Sequence, residues 1–209
     1  MRRALLPLLC LLAFQFFCHP SHASSPQLVV LEGPTFQLSL QYDTDHNFLK
    51  KNVYADFNLH QCYVHPDLAA KLKALAPKLA EKKLKLVLWD CYRPLAVQEA
   101  MWKLIPDSRY VANPKSGSNH NRGIAVDVSL ANEDGTPVEM PTGFDDFSTF
   151  AAPKSYCMPE HGSLCSNRDL LIQLMATVGL KPLATEWWHY QLPNAKKYPI
   201  IEALDAKKP

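Results

Sequence analysis

Between Gly123 and Leu130 the chain reads GIAVDVSL, and this octapeptide constrains the fold more than any other stretch. Side chains alternate across a strand, so Ile124, Val126, Val128 and Leu130 share one face while Ala125, Asp127 and Ser129 share the other. The first face is wholly apolar and suits a core. The second sets a carboxylate between small residues, which leaves room beside it. Gly123 can turn the chain tightly at the mouth of the strand. His120, just before that turn, can reach the same hollow. Alone, such a His–Asp pair serves equally well as a hydrogen-bonded structural couple. It becomes a metal site only if a distant segment supplies a third ligand.

That segment is TEWWHYQL, Thr185 to Leu192. Glu186 and His189 are three apart and would face opposite ways on a flat strand. A helical turn or bulge at Trp187-Trp188 is therefore expected, which puts carboxylate and imidazole on one side. A hydrolytic zinc site needs three protein ligands, an open position for water and a carboxylate near enough to take the water's proton. His120, Asp127 and His189 supply the ligands for one Zn2+ per chain, and Glu186 the base. In WDCYRPL, Trp89 to Leu95, Arg93 stands just past a strand end and before a proline. A fixed guanidinium there can stabilise negative charge developing on a carbonyl oxygen. Taken singly, E-x-x-H is common by chance, and an arginine at a strand end usually pairs with a surface acid.

The remaining pattern is mixed. His65 to Lys83 has helical periodicity, with Leu68, Leu72, Leu75 and Leu79 on one side. Leu84 to Tyr92 reads as a strand, and Pro94 restarts the chain as a helix through about Ile105. Asn167 to Val178 reads as a helix stopped by Gly179, and a last strand includes His189 to Leu192. These elements do not alternate regularly. The expectation is an α+β fold, a single domain with a central, mainly antiparallel sheet flanked by helices. The long stretch from Ala131 to Ser166, rich in Pro, Gly and acids, is of the kind that usually carries function.

Met1-Arg2-Arg3, an apolar run from Ala4 to Phe17 and small residues around Ser21 and Ala23 form the three-part pattern of a secretory signal peptide. Residues 1–23 are expected to be removed, leaving a domain over 24–209 in the periplasm or secreted, with no stable membrane insertion. The apolar run is too short for a spanning helix. The chain carries 22 Lys and Arg against 20 Asp and Glu; Arg2 and Arg3 fall in the leader, so the remainder balances. A near-neutral domain gives no reason to expect a nucleic-acid partner. Beyond the leader stand Cys62, Cys91, Cys157 and Cys165, an even set that suggests two disulfides in an exported protein. Three pairings are possible. The short spacing of Cys157 and Cys165 favours that pair, with Cys62 and Cys91 left together. His46, His60, His65 and His161 have no ligand partner at metal spacing and read as surface or hydrogen-bonding residues.

Taken together, the three segments resemble a known family. Ser118, His120, Gly123, Ala125 and Asp127 fit S-x-H-x-x-G-x-A-x-D; Glu186, Trp188 and His189 fit E-x-W-H; Asp90, Tyr92, Arg93 and Pro94 fit D-x-Y-R-P. These are the signatures of zinc D-alanyl-D-alanine dipeptidases of the vancomycin-resistance type, within the wider D-Ala-D-Ala metallopeptidase group. The resemblance runs from about Tyr42 to Leu192. It implies zinc on His120, Asp127 and His189, Glu186 as general base and then acid, and Arg93 at the oxyanion. Ser118 and Tyr92 would contribute to substrate binding. Phe144-Asp145 looks like the family's F-D segment, whose acid receives the substrate's amino group, although Asp146 stands beside it. The implied substrate is a small D-amino-acid dipeptide. The leader and the cysteines depart from the resistance type, which is typically cytoplasmic, and point to turnover or salvage of wall peptides. Two other readings are a D,D-carboxypeptidase or endopeptidase on longer wall peptides, and a zinc-containing binding domain without catalysis.

Overall fold

The computed structural model of the protein describes residues 27–158, 162–202 and 204. The expected leader at 1–23 and His161 lie outside them. Among the described residues no helix is long and apolar enough to cross a membrane.

Two strands form the spine: β4 (Leu84–Asp90) and β5 (Ala125–Asn132), paired antiparallel. On the far side of β5 lies β7 (His189–Gln191), and beyond it β6 (Lys181–Pro182), both pairings antiparallel. β2 (Phe36–Leu38) closes the other edge and runs parallel to β4. β1 (Val29–Val30) and β3 (Tyr63–Val64) form a separate two-stranded ladder. The central sheet is thus mainly antiparallel, as expected, with one parallel pair at its edge. Among the described residues, four α-helices accompany it: α1 (Pro66–Lys73), α2 (Ala76–Glu81), α3 (Leu95–Leu104) and α4 (Gly162–Ala176).

The alternation in β5 does what its composition requires. Ile124, Val126, Val128 and Leu130 join the core with Leu86 and Leu88 of β4, Leu68 and Leu72 of α1, and Leu171 and Met175 of α4. Each such side chain contributes about 1.5–3 kcal/mol on burial. Asp127 and Ser129 are also buried, and Asp127 lines the site described below.

The expected helix over His65 to Lys83 is two helices. Pro77 lacks an amide donor, and its ring would meet the carbonyl of Lys73 in a continuous helix. The chain therefore tightens at Ala74 and Leu75, with Leu75 N donating to Leu72 O at 3.0 Å, and restarts at Ala76. α4 begins at Gly162, earlier than Asn167, and ends at Ala176. Its extra first turn carries the buried Cys165, which is bonded to Cys157; burial and the crosslink hold a turn that glycine and serine do not favour alone. At its end, Leu180 N donates to Met175 O across Gly179, whose φ is 74°. The other disulfide joins Cys62 to Cys91.

Gly123 is the tight turn expected before β5. Its φ is 65°, and a Cβ there would sit 2.5 Å from Leu28 Cδ2 and 3.2 Å from the His65 amide nitrogen. Left-handed backbone costs a residue with a Cβ roughly 1–2 kcal/mol before any clash. Gly123→Ala is accordingly expected to lower stability by about 2–4 kcal/mol in denaturant melts.

Candidate metal centre

Strand register brings the chemistry together. Asp90 of β4 lies opposite Asp127 of β5, and Asp127 lies opposite His189 of β7. Directly paired residues on neighbouring strands point to the same face, so three central strands place these polar side chains in one row. A single 3-10 turn, His120–Arg122, adds the fourth. Its carbonyl at His120 accepts from Arg93 N at 3.2 Å and from Gly123 N at 3.0 Å, tying the turn to the end of β4 and the start of β5.

His120 Nε2 lies 3.1 Å from His189 Nδ1, His189 Nδ1 lies 3.0 Å from Asp127 Oδ1, and Asp127 Oδ1 lies 3.4 Å from His120 Nε2. For ligand bonds near 2.05 Å, tetrahedral geometry spaces donor atoms about 3.3 Å apart. The triangle therefore has the size of one face of a zinc tetrahedron. The outer ring nitrogens support the same reading. His120 Nδ1 donates to the Cys91 carbonyl at 2.7 Å, and His189 Nε2 donates to Gln191 Oε1 at 3.0 Å. With those protons placed outside, both inner nitrogens turn lone pairs toward each other and toward a carboxylate. Such a set, buried as it is, can hold a cation at its centre. Among the described residues, this is the one group of histidine, cysteine or acidic side chains able to hold a metal ion. Burial alone would raise the Asp127 carboxyl, but positive charge within this cluster outweighs it and holds the group well below the usual carboxylate range.

Glu186 occupies an irregular bend before β7, not the flat strand that would have turned it away. Leu183 O accepts its amide, and Ala151 O accepts that of Trp187. Its Oε2 reaches to 4.0 Å from His189 Nδ1. Burial pushes its carboxyl up to about 7, against the lowering pull of His189. The two tryptophans between Glu186 and His189 are core residues, and Trp188 also walls the pocket.

Arg93 is held from several sides. Nε and Nη2 donate to Asp90 Oδ2 at 3.0 and 2.6 Å, and Nη1 donates to Gln98 Oε1 at 2.9 Å. The guanidinium carbon lies 5.1 Å from the ring centre of Tyr42, and Nη2 stands 3.8 Å from Asp127 Oδ2. Burial opposes its charge, but Asp90 more than compensates and keeps it protonated. A guanidinium has five N–H groups, so three bonds leave two for a ligand. Asp90 is itself fully buried and also accepts from Tyr54 Oη and from Cys91 N.

These groups face a small pocket of about 80 Å³. Ser118, His120, Asp127, Glu186, His189 and Arg93 line it, together with Asp145 from the long loop. Asp145, rather than Asp146, enters the pocket. It accepts from Tyr42 Oη at 3.0 Å and from Phe48 N at 3.2 Å, whereas Asp146 accepts from Ser148 N. Burial raises the Asp145 carboxyl to about 7. Of the residues expected at the site, Tyr92 is not brought to the pocket. Its hydroxyl donates to Ile201 O at 2.9 Å within the core; consecutive residues leaving β4 point opposite ways, so a pocket-facing Arg93 turns Tyr92 inward. Tyr42, Tyr54, Gln98 and Gln191 were not expected. Of the histidines set aside, those described behave as surface or capping groups: His60 pairs with Asp43, and His65 accepts the Asp67 amide at the start of α1.

Residues 26–204 match the D-ala-D-ala dipeptidase family. A D-alanyl-D-alanine dipeptidase of Escherichia coli is 32% identical over 168 residues, covering 80% of this chain and 84% of the relative. Relatives bearing the same name in Synechocystis and Streptomyces coelicolor are 25% and 29% identical, over 53% and 60% of this chain and 60% and 70% of their own lengths. With the match spanning nearly the whole described chain, this protein belongs to the D-ala-D-ala dipeptidase family, a family of metal-dependent peptidases.

Proposed function

We propose that the chain is an exported zinc dipeptidase that hydrolyses D-alanyl-D-alanine, with His120, Asp127 and His189 holding one Zn2+. The observation that carries this reading is the triangle of inward-facing donors with the outer nitrogen of each imidazole set against an oxygen acceptor. When bound, the ion supplies Lewis acidity, which polarises a peptide carbonyl and makes water acidic enough to be a nucleophile near neutral pH. Glu186 takes the proton from the attacking water and delivers it to the amine that leaves. A carboxyl at about 7 can do both. Arg93, aimed by Asp90 and Gln98, donates to the carbonyl oxygen as negative charge develops there. Ser118 lines the substrate position, and Asp145 receives the free ammonium of the dipeptide. The small pocket and its acid favour a dipeptide over a wall polymer. The leader pattern and disulfides favour the periplasm or exterior, where the product D-alanine would come from turnover or salvage of wall peptides.

Asp145 gives this reading a thermodynamic signature. Its carboxyl is raised from 3.8 to about 7, so the folded state holds its proton more tightly than the unfolded chain. The stability this contributes is present in full below the unfolded value and is lost as pH rises through the folded one. In metal-free protein, Asp145→Asn is expected to be more stable than the parent at pH 8 by on the order of 2–4 kcal/mol, with no gain at pH 3.5. Asparagine tolerates the left-handed backbone at this position, where φ is 57°. The same variant is expected to raise KM for the dipeptide roughly 10–100-fold through loss of a charge-assisted contact.

The functional assay compares release of D-alanine from D-Ala-D-Ala and from a muropeptide ending in D-Ala-D-Ala, with L-Ala-L-Ala as stereochemical control, with and without a chelator. Cleavage of the free D,D-dipeptide that stops on chelation and returns with zinc supports the proposal. Preference for the muropeptide would make the protein a carboxypeptidase. Zinc binding with no hydrolysis of any substrate would make it a binding domain.

A further inference from the structure

The two imidazoles of the triad have their outer nitrogens held in different ways. His120 donates to a backbone carbonyl, which no side-chain replacement removes. His189 Nε2 instead meets a side chain, Gln191 Oε1, at 3.0 Å. That same oxygen accepts from Asn119 Nδ2 at 2.5 Å. Asn119 immediately precedes His120, and Gln191 lies two residues beyond His189 on β7, so one amide oxygen joins the two histidine-bearing segments.

An amide oxygen can only accept. Facing Nε2, it requires the proton of the neutral ring to sit there and leaves the lone pair on Nδ1, the nitrogen that faces His120 and Asp127. The Gln191 amide could in principle turn its NH2 to the ring and select the opposite tautomer. Asn119 opposes this, because its NH2 donates to the same oxygen and the two amides would have to turn together. We propose that Asn119 and Gln191 form a clasp that sets the tautomer of His189 and thereby the affinity of the metal site. Neither touches the ion: both are positioning residues. This inference rests on the metal-site reading above.

Zinc affinity, measured by competition with a chromophoric chelator, tests it. Gln191→Leu keeps the approximate shape but removes the acceptor, and is expected to weaken zinc binding about 10–100-fold. Gln191→Glu keeps an acceptor for both donors and is expected to bind at least as tightly as the parent. Asn119→Ala frees the amide to turn and is expected to fall between the parent and Gln191→Leu. Ring 15N shifts of the metal-free protein at pH 8 give a second readout: His189 protonated at Nε2 in the parent, and redistributed toward Nδ1 in Gln191→Leu. If Gln191→Leu misfolds, the contrast between Asn119→Ala and Gln191→Glu carries the test. Parent-like affinity and tautomer in Gln191→Leu, or in Asn119→Ala where that variant stands in, overturn the clasp while leaving the metal site intact. A parent protein that binds no zinc overturns the metal-site reading itself.

Discussion

Glu186→Ala is expected to bind zinc as the parent does and to lose about 10³–10⁴-fold in kcat on D-Ala-D-Ala, with a smaller change in KM. The expectation follows from position. Glu186 Oε2 stands 4.0 Å from His189 Nδ1, close enough to the triangle to reach a water there and outside the set of donors that defines it. Removing it therefore spares the ligands and removes the proton carrier. Because burial raises the carboxyl, and a base works only when deprotonated, kcat/KM in the parent should fall at acid pH as Glu186 takes up a proton. This limb should vanish in the variant. Full turnover in Glu186→Ala, with zinc retained, would remove Glu186 from the mechanism.

The second large effect combines kinetics and stability. Arg93→Met is expected to lower kcat/KM by about 10²–10³-fold, the usual loss for one oxyanion donor. It also strips the buried Asp90 of its cation, which costs on the order of 3–5 kcal/mol. The double variant Asp90→Asn/Arg93→Met leaves no uncompensated charge and should recover part of that stability. It should recover none of the activity, because the guanidinium is still missing. Thermal or denaturant melts alongside single-substrate kinetics separate the two losses. A double variant that regained activity would show that Arg93 served the fold alone.

Which parts of this site were legible in the sequence follows from how each is built. The strand carrying Asp127 announces itself by alternation, and the spacing of Glu186 and His189 forces a bend because a flat strand would separate them. Arg93 is marked by its place between a strand and a proline. The partners of these groups carry no such mark. Tyr42 meets Asp145 from 103 residues away, and it sits on a 3-10 turn, Gln41–Asp43, with no periodic pattern around it. Asp90 lies within a motif already noted, yet its role emerges only when register sets it beside Asp127 and under Arg93. Gln191 is an unremarkable strand residue until Asn119 arrives from another segment. Tyr92 illustrates the reverse: the family resemblance implied a place at the substrate, while the alternation of an extended chain sends it to the core. Local chemistry was readable; long-range register was not.

Whether one ion shares these three side chains is tested directly by a zinc-edge anomalous difference map from crystals grown with equimolar zinc. The prediction is a single strong peak within bonding distance, about 2.0–2.2 Å, of His120 Nε2, His189 Nδ1 and an Asp127 carboxylate oxygen. A peak elsewhere on the molecule, or one bonded to His189 through Nε2, would contradict it.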